Sequence, residues 1–294
     1  MSRFLIVCPV GDIYSGVGNF GAPPLGPHRL ASWLRRHGED VTVWDCNISR
    51  NLVLPTLAEA AGKDRSGVLA EAFLAAIEKD LDLGSFGWIG WSLLNDTLAA
   101  TLGLSNLVRL RHPKIKQVGG NHEATVNMND CLGRSTLDGI VMADAEDSML
   151  RLLRGECPHA IPGIIWRTFQ PKPGREAFEA WNDAIDWKSI PYGEYWKRTE
   201  ALYDLDSMSE EDRLGKLYSI RTVRIHSLVA CELSCSFCSV RTTRRFASGD
   251  NKPSIISLSP SALARTLLAV KREVPGVLTI YDSCDEAFLG AGRG

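Results

Sequence analysis

The chain has 294 residues, 45% of them hydrophobic, and a formal net charge of -2. That length suggests about two domains, each able to bury a core. The near-zero charge excludes non-specific nucleic-acid binding as a default role, and no apolar run approaches the roughly 18 residues that span a bilayer.

Met1 leads straight into an apolar run, Phe4–Val10, which reads as a strand buried on both faces; no apolar leader precedes it. A G-x-G-x-x-G pattern follows, Gly16-Val17-Gly18-Asn19-Phe20-Gly21. A dinucleotide site needs its first glycine in the tight turn and a helix opening at the third. Here the strand ends several residues early, and Pro23, Pro24 and Pro27 follow Gly21, so the helix cannot begin there. The pattern reads as a long loop. A helix is expected from Leu30 to Arg36 with Gly38 as its C-cap, then a strand at Val41–Trp44 ending at Asp45. Residues 63–81 read as a helix and Trp88–Trp91 as a strand ending at Ser92. Asn95 or Asp96 then caps a helix whose buried face carries Ala100, Leu104, Leu107 and Val108. Ile115–Val118 is a strand stopped by Gly119-Gly120; Gly139–Met142 is the next, followed by a helix over Asp147–Arg154. This alternation implies an α/β fold with a doubly wound, Rossmann-like parallel sheet. Ligands on such sheets bind beyond the carboxyl ends of the strands.

Residues 1–168 form this first domain. Residues 169–220 are a connector rich in Trp181, Trp187, Tyr192, Tyr195, Trp196 and Tyr203. These aromatics either pack across the domain junction or line a substrate channel. Residues 221–294 open a second domain. Val223 and Ile225 alternate as in a strand, and Ser259-Pro260 caps a helix with Leu263, Leu267 and Val270 on its buried face. Pro275-Gly276 stops it, and Val277–Tyr281 is a further strand.

Between those elements lies the most specific pattern in the chain, Cys231-Glu-Leu-Ser-Cys235-Ser-Phe-Cys238, a C-x3-C-x2-C run with an aromatic before its last member. Soft thiolates at this spacing select an iron–sulfur cluster or zinc. A structural zinc site asks for a fourth ligand; His226 and Cys284 are nearest, and neither makes a paired C-x2-C. Eight cysteines are too few for a disulfide scaffold, and with no leader they imply reduced thiols in a cytoplasm. Cys8, Cys46, Cys131 and Cys157 are isolated and read as small buried apolar residues. Three thiolates around a [4Fe–4S] cube leave one iron open for a substrate.

The cysteine run resembles the C-x3-C-x-aromatic-C signature of the radical S-adenosylmethionine (radical SAM) enzymes. The first half resembles the cobalamin-binding domain that precedes many of them. Pro23-Pro24-Leu25-Gly26 with His28–Leu34 and Gly38 resembles its P-P-L-G…L-A-x-x-L…G-H segment, Gly90-Trp91-Ser92 its G-x-S turn, and Gly119-Gly120-Asn121-His122 its G-G-x-H turn. Ala143-Asp144-Ala145-Glu146 stands in place of G-E-G-E, with alanines where two glycines belong, and Ile164–Arg167 resembles the closing hairpin. The segment Asp282–Phe288 resembles a D-D-x-F segment through Asp285, Glu286 and Phe288.

The resemblance implies a cobalamin-dependent radical SAM protein, with a methyltransferase as the expected activity. Its cofactors would be a [4Fe–4S] cluster on Cys231, Cys235 and Cys238, S-adenosylmethionine with its adenine near Phe237, and cobalamin. Cobalamin contacts would come from Pro24, Leu25, Gly26, Ser92, Gly119, Gly120, His122 and Glu146; no residue is assigned a catalytic role. His28 and His122 are the only histidines near that site. With no D-x-H-x-x-G segment, cobalamin is expected to bind without a protein ligand to cobalt. A small-molecule substrate and a reducing partner such as flavodoxin or ferredoxin are implied. Residues 221–294 hold only the first β-α-β unit of the family's barrel, so an incomplete β/α radical SAM barrel with exposed edges is expected. That leaves a fragment, a barrel completed by a second chain, or a vestigial domain. The alternative function is a non-catalytic cobalamin or iron–sulfur binding protein, or one half of a split enzyme.

Overall fold

The structure, a computed structural model, describes residues 3–9, 23–54, 64–166, 178–229 and 256–282. In the first unit, β1 (Arg3–Cys8), α1 (Leu25–Arg36), β2 (Val41–Asp45), α2 (Arg65–Asp80), β3 (Phe86–Ser92), α3 (Leu98–Arg111) and β4 (Lys116–Gly120) alternate. Two short helices, α4 (His122–Val126) and α5 (Met128–Arg134), lead to β5 (Gly139–Val141), α6 (Glu146–Leu153) and β6 (Ile164–Trp166). The strand order is β2-β1-β3-β4-β5-β6. The first five strands are parallel, and β6 returns antiparallel to β5.

Alternation along β1 shows why this sheet needs cover on both sides. Leu5 and Val7 point into one core with α2, α3 and the α4–α5 pair; Phe4, Ile6 and Cys8 point into the other with α1 and α6. None of the five is more than 3% exposed. A parallel sheet buried on both faces reads as a continuous apolar run. The strand order reverses direction between β1 and β3, so the switch point of the sheet lies at their carboxyl ends.

Several boundaries differ from the sequence expectation. Helix α1 begins at Leu25, not Leu30. Pro27 sits in its first turn, where the missing N–H had no intrahelical acceptor to lose; the first i→i-4 bond is His28 N to the Pro24 carbonyl at 3.3 Å. Gly38 follows the helix at φ 89°, the left-handed conformation that glycine adopts without penalty. Gly119 and Gly120 do not stop β4 but belong to it, paired with Trp91 and Ser92. Before α3, Asn95–Thr97 makes a single 3-10 turn, so Thr97, without a side-chain cap, precedes the helix rather than Asn95 or Asp96.

The connector is helical: α7 (Phe178–Asp183), α8 (Tyr192–Glu200) and α9 (Glu210–Ile220). Beyond it, β7 (Thr222–Ile225) pairs in parallel with β10 (Thr279–Asp282), while β8 (Leu228–Val229) and β9 (Ile256–Ser257) form an antiparallel pair. Helix α10 (Pro260–Glu273) joins the two pairs, with Ser259 as N-cap accepting from the Ala262 amide. Its buried positions are Ala262, Thr266 and Val270; Leu267 is exposed, contrary to the expected face. Trp187, Tyr192 and Trp196 of the connector pack with Val223, Ile225 and Val270 in one core, which Leu25 of α1 also touches. Most of the aromatic connector therefore packs at the junction, while Tyr203 is exposed.

Candidate functional site

The carboxyl ends of β3, β4 and β5 form a rim. Ser92 and Gly120 are register partners there, and the Leu93 amide donates to the Gly120 carbonyl at 3.0 Å. The next residue, Asn121, has φ 78°. Its Nδ2 donates to Ser92 Oγ at 3.0 Å and its Oδ1 accepts from the His122 amide at 2.7 Å. Asn121 thus turns the chain sharply, starts α4, and locks the ends of two strands together. With ψ −174° this is an extended positive-φ backbone that residues with a Cβ rarely adopt, and the two side-chain hydrogen bonds of Asn121 hold it there. At the end of β5, Ala143 has φ 52°, and its amide donates to Thr125 Oγ1 of α4 at 3.0 Å.

The two strand-end glycines have different surroundings. A Cβ on Gly119 would lie 2.8 Å from Leu93 Cδ1, 2.9 Å from Ile140 Cδ1 and 3.0 Å from Leu137 Cδ1. Gly119 is therefore needed by the core behind the rim. Among the described residues, a Cβ on Gly120 would meet only the Val141 carbonyl, at 3.9 Å. No other described residue approaches Gly120 on its α1–α6 side, the kind of flat position a broad ligand needs. Gly90 lies deeper in β3 and makes room for the Phe4 ring, 2.7 Å from where its Cβ would be.

Glu146 opens α6 and is 1% exposed. Its Oε1 accepts from Arg29 Nε at 2.6 Å, and Arg29 Nη2 also donates to Asp144 Oδ1 at 2.6 Å. The guanidinium lies 5.9 Å from the Phe178 ring and 5.8 Å from that of Trp181. Burial, helped by Asp144, pushes the Glu146 carboxyl above the usual carboxylate range, while Arg29 pulls it back. Glu146 Oε2 has no partner among the described residues. The start of α1, with Pro24 and Gly26, is thereby tied to the loop after β5, and Leu25 turns toward the second unit. His28 is buried, its Nε2 without a partner among the described residues; burial first and Arg35 second lower its pKa to about 4, so it is neutral at pH 7.

Asp45, at the end of β2, stands where an NAD-type site presents its ribose-binding acid. Its Oδ1 accepts from both the amide and Nδ2 of Asn47 at 3.0 Å, and its Oδ2 accepts from the Tyr195 hydroxyl. Asp45 is buried and both its oxygens already accept hydrogen bonds from this chain, so it is not presented to a ribose.

The structure thus gathers Pro24, Gly26, Ser92, Gly120, His122 and Glu146 around one end of the sheet. It places Gly119 and Leu25 in packing positions next to it. Cys231, Cys235, Phe237, Cys238 and the segment Asp285–Phe288 lie outside the described residues, as does the Gly16–Gly21 loop. Among the described residues no group of His, Cys, Asp and Glu could hold a metal, and no helix is long and apolar enough to cross a membrane. Arg29, Asn121, Asp45 and Tyr195 were not singled out for the site from sequence. Nothing local in the sequence announces these four.

No family model matches the chain, and no curated protein matches it. Solved structures do. The fold is shared with cobalamin-dependent radical SAM enzymes. The particular neighbours include the radical S-adenosylmethionine methyltransferase TsrM from Kitasatospora setae, with tryptophan substrate and a SAM analogue bound, at TM-score 0.56 and 15% identity over 99% of this chain. TsrM with cobalamin and a [4Fe–4S] cluster matches at TM-score 0.53. The cobalamin-dependent S-adenosylmethionine radical enzyme OxsB, with aqua-cobalamin and S-adenosylmethionine bound, matches at TM-score 0.57 and 15% identity over 97% of this chain. The chain spans 49% of TsrM and 34% of OxsB.

Proposed function

We propose that the chain is part of a cobalamin-dependent radical SAM methyltransferase. The strand-end rim would hold cobalamin, and Cys231, Cys235 and Cys238 would hold a [4Fe–4S] cluster that takes S-adenosylmethionine at its open iron. One observation carries this reading: a 2-1-3-4-5 sheet with an open glycine at its rim is joined, in one chain, to a parallel β7–β10 pair whose first strand ends at Ile225, just before the three-cysteine run. The residues fit both groups. Gly120 leaves a cradle that a larger side chain would fill, and three soft thiolates suit iron and sulfide.

When bound, these cofactors supply reductive cleavage of S-adenosylmethionine and methyl transfer. The protein's own residues bind and orient. Ser92 Oγ accepts from Asn121, which leaves the Ser92 hydroxyl hydrogen to donate toward a ligand at the rim. Gly120 keeps the surface flat there, and His122 stands beside it at the start of α4. Arg29 holds Glu146 and so sets the height of the α1 start against the β5 loop. We read β7, α10 and β10 as the opening unit of the radical SAM barrel. A small-molecule substrate and an electron donor such as flavodoxin or ferredoxin complete the reading.

The test is anaerobic reconstitution of the chain with iron and sulfide, followed by metal analysis and visible absorption. Alanine at Cys231, Cys235 or Cys238 should each abolish the cluster, and Cys284→Ala should not. Zinc in place of iron, or a full cluster in any of the three variants, contradicts the assignment. A cluster that forms while dithionite and S-adenosylmethionine give no 5′-deoxyadenosine would favour a non-catalytic binder or half of a split enzyme.

A further inference from the structure

The two units are held together at two places on the connector. The first is α7: Trp181 lies under Arg29, Asn182 Nδ2 donates to Thr266 Oγ1 at 2.5 Å, and just beyond the helix the Asp186 amide donates to Ser32 Oγ at 3.1 Å. The second is α8. Its Tyr192 and Trp196 pack in the second unit's core, whereas Tyr195, 0% exposed, donates to Asp45 at the end of β2. Arg198, one turn on, donates to the carbonyls of Asn47 and of Ile48, the latter at 3.0 Å. Burying a phenol and a carboxylate costs free energy that an apolar pair would not. What the polar pair adds is direction. Apolar side chains tolerate sliding, while a buried hydrogen bond to a carboxylate already fixed by Asn47 permits one orientation.

We propose that Tyr195 is a positioning residue, which through Asp45 sets how the unit carrying the cysteine run sits against the cobalamin rim. The function served rests on the reading above; the clamp itself rests on the geometry alone. Without the Tyr195 hydroxyl, α7 and the Arg198 bonds still anchor the junction, so α8 loosens locally rather than the whole chain unfolding.

The experiment is hydrogen–deuterium exchange on the full chain, comparing wild type with Tyr195→Phe and Asp45→Asn. In Tyr195→Phe, exchange in 192–200 and 222–225 should accelerate on the order of tenfold or more, the scale of one lost buried hydrogen bond to a charged acceptor. Exchange in β1 and β3 should stay unchanged. Asp45→Asn keeps a polar partner for the hydroxyl and should stay close to wild type. Acceleration in α8 below twofold, or equal acceleration in β1 and β3, overturns the proposal; the latter is what a merely structural contribution produces. Hydroxocobalamin binding by both proteins is measured in parallel and judges the functional reading separately: affinity should be equal in wild type and Tyr195→Phe, and absence of binding in both would remove that reading while the exchange pattern still decides the clamp.

Discussion

Replacing Arg29 by Met tests the electrostatics of the rim. The side chains of Arg29, Asp144 and Glu146 are 14%, 12% and 2% exposed, so little water screens the triad. Arg29 makes two charge-assisted hydrogen bonds at 2.6 Å, each worth roughly 1.5–3 kcal/mol, and removing one partner of a buried pair costs about 3–5 kcal/mol. Arg29→Met should therefore destabilise the first unit by about 4 kcal/mol at pH 7. The sign of its pH dependence follows from Glu146. Without the guanidinium, burial and Asp144 still raise the folded-state pKa above the unfolded value, and the opposing pull is gone. A carboxyl raised on folding stabilises below its unfolded pKa and loses that stability as pH rises. The Arg29→Met deficit should therefore shrink as pH falls from 7 toward about 4.5. Chemical unfolding followed by circular dichroism at several pH values measures both quantities. A loss below about 1 kcal/mol, or a deficit independent of pH, would refute the reasoning.

Other substitutions separate packing from binding. Gly119→Ala pushes a methyl against three leucine and isoleucine ends and should cost about 1–3 kcal/mol in thermal unfolding. Gly120→Ala meets no close contact among the described residues and should leave stability within about 0.5 kcal/mol while weakening hydroxocobalamin binding, as a titration would show. Ala143→Gly relieves a left-handed backbone and should stabilise by about 1 kcal/mol, read as a raised melting temperature. His28 binds its proton at about 4 when folded and at 6.5 in the reference state. It should cost the fold roughly 3 kcal/mol as pH falls from 6.5 to 4, and His28→Gln should flatten that slope.

The strands of the first unit could be read from sequence because their signal is local. A parallel strand covered on both faces is an unbroken apolar run, and Phe4–Cys8 is one. Errors fell where a residue's meaning depends on distant neighbours. Gly119-Gly120 looks like a stop, yet the space beside Gly119 is filled by Leu93, Leu137 and Ile140, so the pair continues the strand. Pro27 looks like a barrier, yet in a first turn it breaks no bond. Leu267 is expected on the buried face of its helix, but the Thr266 hydroxyl is satisfied by the Ala262 carbonyl and Asn182, so Thr266 is buried in its place. At the candidate site the strand-end motifs were visible as short patterns in order. The pairs that hold them were not: Arg29 is 117 residues from Glu146 and Tyr195 is 150 from Asp45, separations that no periodicity reports.

The most direct measurement is a titration of the full chain with hydroxocobalamin, followed by visible absorption and co-elution on gel filtration, in wild type and in Gly120→Leu. Saturable one-to-one binding by wild type, lost in Gly120→Leu while that variant's melting temperature is kept, is the expected result. No co-elution with wild type, or equal binding by both proteins, would contradict the assignment of the β3–β5 rim as a cobalamin site.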